Sequence, residues 1–173
     1  MRPVKGADLL LKAMLDLPET VHALLIGEVR DPQLEKLATD KRLQGRIHFT
    51  GFQPDAPRLI GALDINTAPS RGREGLTKTV IEGMVQRIPA VVSNAGGLPE
   101  LIRDGESGYI VPMDDLSTFR DRIAMLVQNP TTRTRMGQSA RDDVRQRFNI
   151  GTTIRQTADL YQTLVNQEVP GQR

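Results

Sequence analysis

The chain has 173 residues, enough for one ordinary domain, and 38% hydrophobic with 25% charged residues permits a packed core and argues against disorder. Aromatic residues are only 3% and Trp is absent, so the core must be aliphatic, and proteins that stack single-stranded bases on aromatic platforms are disfavoured. A net charge of +2, interspersed along the chain, demands no nucleic-acid partner. With no Cys, disulfides and Cys-based zinc sites are excluded. The two histidines, His22 and His48, are far apart in sequence and read as core or surface residues, and no metal is expected. No apolar run approaches the ~20 residues of a membrane span, and no signal-peptide pattern opens the chain. The expectation is a cytoplasmic protein without a transmembrane segment, compatible with peripheral binding to the inner membrane face.

In chain order, residues 8–15 read as a helix stopped before Pro18. Residues 21–27 form a short apolar run ending in Gly27, a buried strand. Asp31 and Pro32 supply an N-cap and an N1 proline for a helix to about Lys41. Residues 46–50 are the next strand, 56–62 a short helix, and 64–67 a strand ending at Pro69. A loop with Gly72 and Gly75 leads into a helix over about 77–86. Residues 90–93 are a strand, Gly96 and Gly97 open a short helix through Arg103, and 108–111 are the last strand. Helices over about 116–128, 131–148 and 152–167 complete the chain, with a frayed tail over 170–173. Strand and helix alternate, and the strands are short and rich in Ile and Val. That pattern predicts an α/β, Rossmann-like doubly wound parallel sheet in a single domain.

In such a sheet ligands bind outside the carboxyl ends of the strands. There is no G-x-G-x-x-G after a strand, no G-x-x-x-x-G-K-[ST] and no G-x-S-x-G, so the common dinucleotide, P-loop and hydrolase sites are absent. The passage from Arg71 to Glu82 remains. Gly75 lets the backbone approach a ligand, and the free amides of Leu76, Thr77 and Lys78 at a helix start offer an anion site that suits a diphosphate. Glu74 lies beside that site and Glu82 two turns on, about 12 Å away if the spacing is helical. Two carboxylates so placed could accept hydroxyls on either side of a diphosphate. Spacing alone equally allows Glu74 to be a helix-terminal charge and Glu82 a surface residue. The basic run Arg71, Arg73 and Lys78 could face a phosphate or solvent.

The residues between Glu74 and Glu82 resemble the E-x7-E motif of retaining GT-B glycosyltransferases of the glycogen-synthase and mannosyltransferase type (glycosyl transferases group 1). The likeness extends to Arg2-Pro3-Val4-Lys5-Gly6, similar to that family's basic phosphate loop. It continues through residues 46–52, 81–84 and 89–93, then Gly96-Gly97-Leu98-Pro99-Glu100 and residues 104–108, covering the chain to about Arg147. Thr77 departs from it, standing where the family often has Gly.

The resemblance implies specific roles. Lys5 would act on the donor diphosphate, with Arg2 as a weaker second. Glu74 would hold hydroxyls of the transferred sugar and count with Lys5 as catalytic. Gly75, Leu76 and Thr77 would present backbone to sugar and phosphate, Glu82 would hold the ribose, and Phe52 would line the base unless it is a core residue. Residues 1–173 would be the C-terminal nucleotide-sugar-binding domain, with the N-terminal acceptor domain absent. The implied partners are a nucleoside-diphosphate-sugar donor and a glycan or lipid-linked acceptor, with no cofactor besides the donor. The first strand of the sheet would be missing too, leaving five parallel strands with a gap or a repaired pairing beside residues 21–26. The isolated chain is expected to bind donor weakly and transfer nothing. A non-catalytic nucleotide- or sugar-binding module is the alternative.

Overall fold

The computed structural model describes residues 3–72 and 75–166. A 3-10 turn, Pro3–Lys5, leads into α1 (Ala7–Met14) and then β1 (Ala23–Leu25). Helix α2 (Pro32–Ala38) begins where the sequence signal put it. The Asp31 carboxylate accepts from the amides of Gln33 (3.0 Å) and Leu34 (3.4 Å), and Pro32 holds the first helical position. The helix stops short of Lys41 because Asp40 caps a separate 3-10 turn, Lys41–Leu43. β2 (Ile47–Phe49), α3 (Ala56–Ile60) and β3 (Asn66–Ala68) follow. Next come α4 (Lys78–Val85), β4 (Ala90–Ser93), α5 (Leu98–Leu101) and β5 (Gly108–Val111). Three longer helices close the described chain: α6 (Leu116–Gln128), α7 (Pro130–Arg147) and α8 (Ile150–Asn166).

The five strands among the described residues are all parallel, but they form two sheets. β1 pairs with β2 in the register Ala23 to Ile47, and the second sheet has the order β3-β4-β5. The predicted gap is therefore present, on the β3 side of β1. The strand expected over 64–67 lies two residues later at its start, because pairing begins where the Asn66 amide donates to the Pro89 carbonyl (2.9 Å).

The doubly wound expectation holds, with a distinct core on each face. One cluster gathers Leu11, Met14, Leu25, Leu34, Val91, Phe119 and Leu126, and draws on both sheets. The other gathers Val80, Met84, Val92, Leu98, Leu101 and Ala140, and draws on the three-stranded sheet alone. The alternation of β4 explains the split: Val91 and Val92 point to opposite faces and both are fully buried. Two arginines lock loops to this frame. Arg46, expected to open a strand, is buried and donates to the carbonyls of Leu17, Pro18, Val21 and Arg42. Arg147 pairs with buried Asp143 and donates to the carbonyls of Glu100 and Leu101, holding α7 against α5.

Candidate functional site

The candidate site is built where the chain turns from Lys5 into α1. Gly6 has φ +66°, and a Cβ there would lie 1.8 Å from the Pro69 carbonyl oxygen. Only glycine permits so close a contact in the left-handed region. The turn carrying Lys5 is thereby pressed against the carboxyl end of β3. The Arg71 amide donates to the Val4 carbonyl (2.8 Å), extending the contact.

The Arg71 side chain completes this join. Its guanidinium donates to both oxygens of Asp8 (2.5 and 2.9 Å), to the Pro3 carbonyl (3.3 Å) and to Asp114. The hydrogen bond from Arg71, helped by Lys12 at 3.0 Å, holds the Asp8 carboxyl down at about 2, and Arg71 itself is held more firmly protonated. With two carboxylates on it, Arg71 is a structural tie rather than a phosphate contact. Lys78 is almost fully exposed, 3.4 Å from Glu82, and Arg73 lies outside the described residues.

The start of α4 has the opposite character. Residues 75–77 are not helical, and Thr77 is the N-cap with no side-chain capping bond. Among the described residues, the backbone amides of 76–79 donate to nothing. The Thr77 hydroxyl oxygen is buried without a hydrogen-bond partner. Leaving a buried hydroxyl unsatisfied costs about 1–3 kcal/mol. A run of free amides, a positive helix end and an orphan hydroxyl together suit an anionic ligand with polar oxygens. The neighbourhood is held firmly: Asn66 Nδ2 donates to the Thr79 carbonyl (2.8 Å), and the Ser93 hydroxyl donates to the Ser70 carbonyl (2.5 Å). Gly83 makes room for Asn66, since a Cβ there would sit 2.7 Å from Nδ2.

The residues singled out from sequence fall into four groups. Lys5 and Thr77 line one cavity, of about 800 Å³, which also takes in Thr79 and Ser70. Gly75 and Leu76 are exposed on the approach to α4, and Glu82 is largely covered on the helix itself, its side chain 17% exposed. Phe52 stands apart beyond β2, 75% exposed and outside that cavity's lining, so it is not a core residue. Arg2 and Glu74 lie outside the described residues. Because α4 begins only at Lys78, residues 75–77 lie outside the helix that carries Glu82.

Sequence reasoning missed the tie of Asp8, Arg71 and Asp114 and the bond from Asn66 to α4. These partners are 63, 43 and 13 positions apart, and no local pattern marks them. It also missed that His22 and His48 meet, Nδ1 to Nε2 at 3.0 Å, across neighbouring strands. Among the described residues no group of three His, Asp or Glu side chains is gathered as a metal site, and no helix is long and apolar enough to cross a membrane.

A parallel sheet with an open helix start at the carboxyl edge of its strands defines a Rossmann-like domain. Residues 1–143 match the family of glycosyl transferases group 1, and the chain belongs to that family. Among its relatives is the lipopolysaccharide core biosynthesis glycosyltransferase LpsE of Rhizobium meliloti, 33% identical over 146 residues, covering 84% of this chain and 42% of LpsE. Among solved structures, Anabaena Alr3699/HepE in complex with UDP superposes with a TM-score of 0.88 at 26% identity, over 94% of this chain and 46% of that protein. The same protein has been solved with UDP-glucose. The C-terminal domain of the group 1 glycosyltransferase LpcC from Francisella tularensis superposes with a TM-score of 0.78 at 27% identity, over 87% of this chain and 83% of that domain. The chain thus spans under half the length of LpsE and HepE but most of the isolated LpcC domain.

Proposed function

We propose that this chain is the C-terminal, donor-binding half of a retaining glycosyltransferase and that it takes a nucleoside-diphosphate sugar. The observation that carries the reading is the start of α4, where Thr77, with its unpartnered hydroxyl, and Thr79 share a cavity with Lys5. The donor's diphosphate rests on the amides of Leu76 and Thr77, with Lys5 opposite and Arg2 as a second cation. Gly75 allows backbone to approach the sugar, whose hydroxyls are held by Glu74. Glu82 holds the ribose, and Phe52 serves the base. The Thr77 hydroxyl, which the family's frequent Gly could not offer, donates to a phosphate or sugar oxygen.

In the reaction, the bond from the sugar's anomeric carbon to the diphosphate breaks, and its electron pair leaves on the phosphate. Lys5 and the α4 amides stabilise that growing charge because they are aimed at it before it forms. The acceptor hydroxyl oxygen bonds to the same face of the anomeric carbon and passes its proton to the departing phosphate oxygen, so configuration is retained. The acceptor is a glycan or a lipid-linked saccharide, held by a separate N-terminal domain. The naming of LpsE for lipopolysaccharide core biosynthesis supports that class. Alone, the chain binds donor weakly and transfers nothing, and the assembled enzyme works in the cytoplasm.

Calorimetric titration with UDP-, GDP- and ADP-sugars tests the reading, beginning with UDP-glucose because HepE holds it. One series should bind, with Lys5→Ala and Glu82→Gln each weakening affinity about tenfold or more, a loss of ~1.4 kcal/mol. Absence of heat with every donor, together with no chemical-shift change at Glu82, would sink it.

A further inference from the structure

Several arginines are committed to partners: Arg71 to Asp8 and Asp114, Arg103 and Arg147 to Asp143, and Arg46 to four carbonyls. Arg87, Arg141 and Arg145 form no ion pair among the described residues, yet the fold gathers them.

Arg87 closes α4. Its amide donates to the Met84 carbonyl (3.0 Å) and the Ile88 amide donates to the Gly83 carbonyl (3.0 Å), the paired bonds of a left-handed helix stop. Arg87 accordingly has φ +65°. Glycine is the usual residue at such a stop, because a Cβ crowds the backbone there. A strained residue kept where glycine would serve better directs attention to its side chain.

Helix α7 packs directly on this turn. A Cβ at Gly137 would lie 2.0 Å from the Arg87 carbonyl oxygen, so glycine is what lets the helix in. Arg141 and Arg145 follow Gly137 at intervals of one turn and share its side of α7. The Nε of Arg141 is buried without a hydrogen-bond partner. The neighbouring carboxylates are engaged elsewhere. Asp142 accepts from Gln138 (3.0 Å), and buried Asp143 is paired with Arg103 and Arg147. Repulsion from Arg145, then burial, then repulsion from Arg87 push the Arg141 guanidinium below its ordinary value, and Asp142 offsets them only in part.

Three cations are thus held together at the amino edge of the sheet, where α4 has ended and β4 has yet to begin. The start of α4 lies at the opposite edge. One carboxylate cannot neutralise three guanidiniums. A phosphate dianion carries more charge, and its tetrahedral oxygens match their forked donors. We propose that Arg87, Arg141 and Arg145 form a phosphate-binding site, separate from the start of α4, that takes a phosphate monoester from a soluble metabolite or a lipid headgroup. Arg141 and Arg145 grip the phosphate oxygens, and Arg87 closes the site from the end of α4.

The test follows the arginine Nε–H signals by NMR while inorganic phosphate is titrated into the whole chain, against chloride at matched ionic strength. The Arg141 signal should shift and saturate with phosphate alone. Arg141→Gln and Arg145→Gln, read on the remaining arginine signals, should each weaken binding about tenfold or more. Arg155→Gln makes the same charge change on α8 and should leave affinity within about twofold. Lys5→Ala should leave it equally intact, which separates this site from phosphate held at the start of α4. Arg87→Gly should weaken phosphate binding and yet raise the melting midpoint by roughly 2–4 °C, because it relieves the left-handed arginine. Glycerol phosphate and phosphatidylcholine vesicles with and without phosphatidic acid then distinguish the source. Retention on the phosphatidic-acid vesicles that is lost in Arg141→Gln identifies a lipid headgroup. Binding of glycerol phosphate without vesicle retention identifies a soluble ester. A shift that rises linearly with both salts overturns the proposal, as does an Arg155→Gln loss equal to that of Arg141→Gln. No readout involves a nucleotide sugar, so failure here leaves the donor assignment standing.

Discussion

The two sheets differ in what covers them. The β3-β4-β5 sheet is buried on both faces, and every residue of β4 is inaccessible. The β1-β2 sheet contributes to one core cluster only, and β2 is partly or fully exposed along its length. The anion-accepting start of α4 and its supports, Asn66 and Ser93, belong to the well-covered side. Lys5 belongs to the element that leads toward the other side, and the Gly6 contact and the Arg71 tie help to bring it to the site. The lesson is that the start of α4 rests on a well-covered platform, while Lys5 is brought to it by the contacts of its chain neighbours Val4, Gly6 and Asp8.

The largest effect should separate the two sides directly. Met84→Ala removes a fully buried side chain from the cluster under the three-stranded sheet and should cost ~2–5 kcal/mol in urea unfolding. Leu24→Ala trims a residue that is only partly buried beside an open cavity and should cost less than ~1 kcal/mol. Equal losses would mean that the two sheets form one core of uniform density.

The join between the sides comes next. Asp8 is held at about 2, below the ordinary 3.8, so the folded chain takes up that proton less readily than the unfolded chain. The stabilisation is therefore complete above about pH 4 and is lost as pH falls toward 2. It should amount to ~1–2 kcal/mol after allowance for partial solvent screening. Arg71→Ala should remove that pH dependence and weaken donor binding several-fold by releasing the turn that carries Lys5. An unaltered acid profile in the variant would show that Asp8 draws its stabilisation elsewhere.

The smallest effect is expected at α8, which has no buried residue and exposes Ile154, Tyr161 and Leu164. Leu164→Gln should change stability by less than ~0.5 kcal/mol in either direction. A larger loss would place α8 within the cooperative unit and erase its contrast with α7, where Met136 and Ala140 are fully buried.

The order and kind of the elements were legible in the chain before it folded. Their signals are local: Asp31 with Pro32 at the head of α2, the apolar run of β4, and Asn129 with Pro130 between α6 and α7. It also marked the segment from Gly75 to Glu82, since a glycine before a helix start is a local feature with a local consequence. Relations between distant positions emerged with folding alone. Arg71, which in sequence could face a phosphate, is committed to Asp8 and Asp114. Thr77 keeps a buried hydroxyl without a partner. The gap beside β1, implied by the family resemblance, takes its shape from two stretches about 40 positions apart, 21–26 and 65–70. Charges and hydrogen-bonding groups find partners by distance in space, and a one-dimensional pattern records only the neighbours that the chain itself brings close.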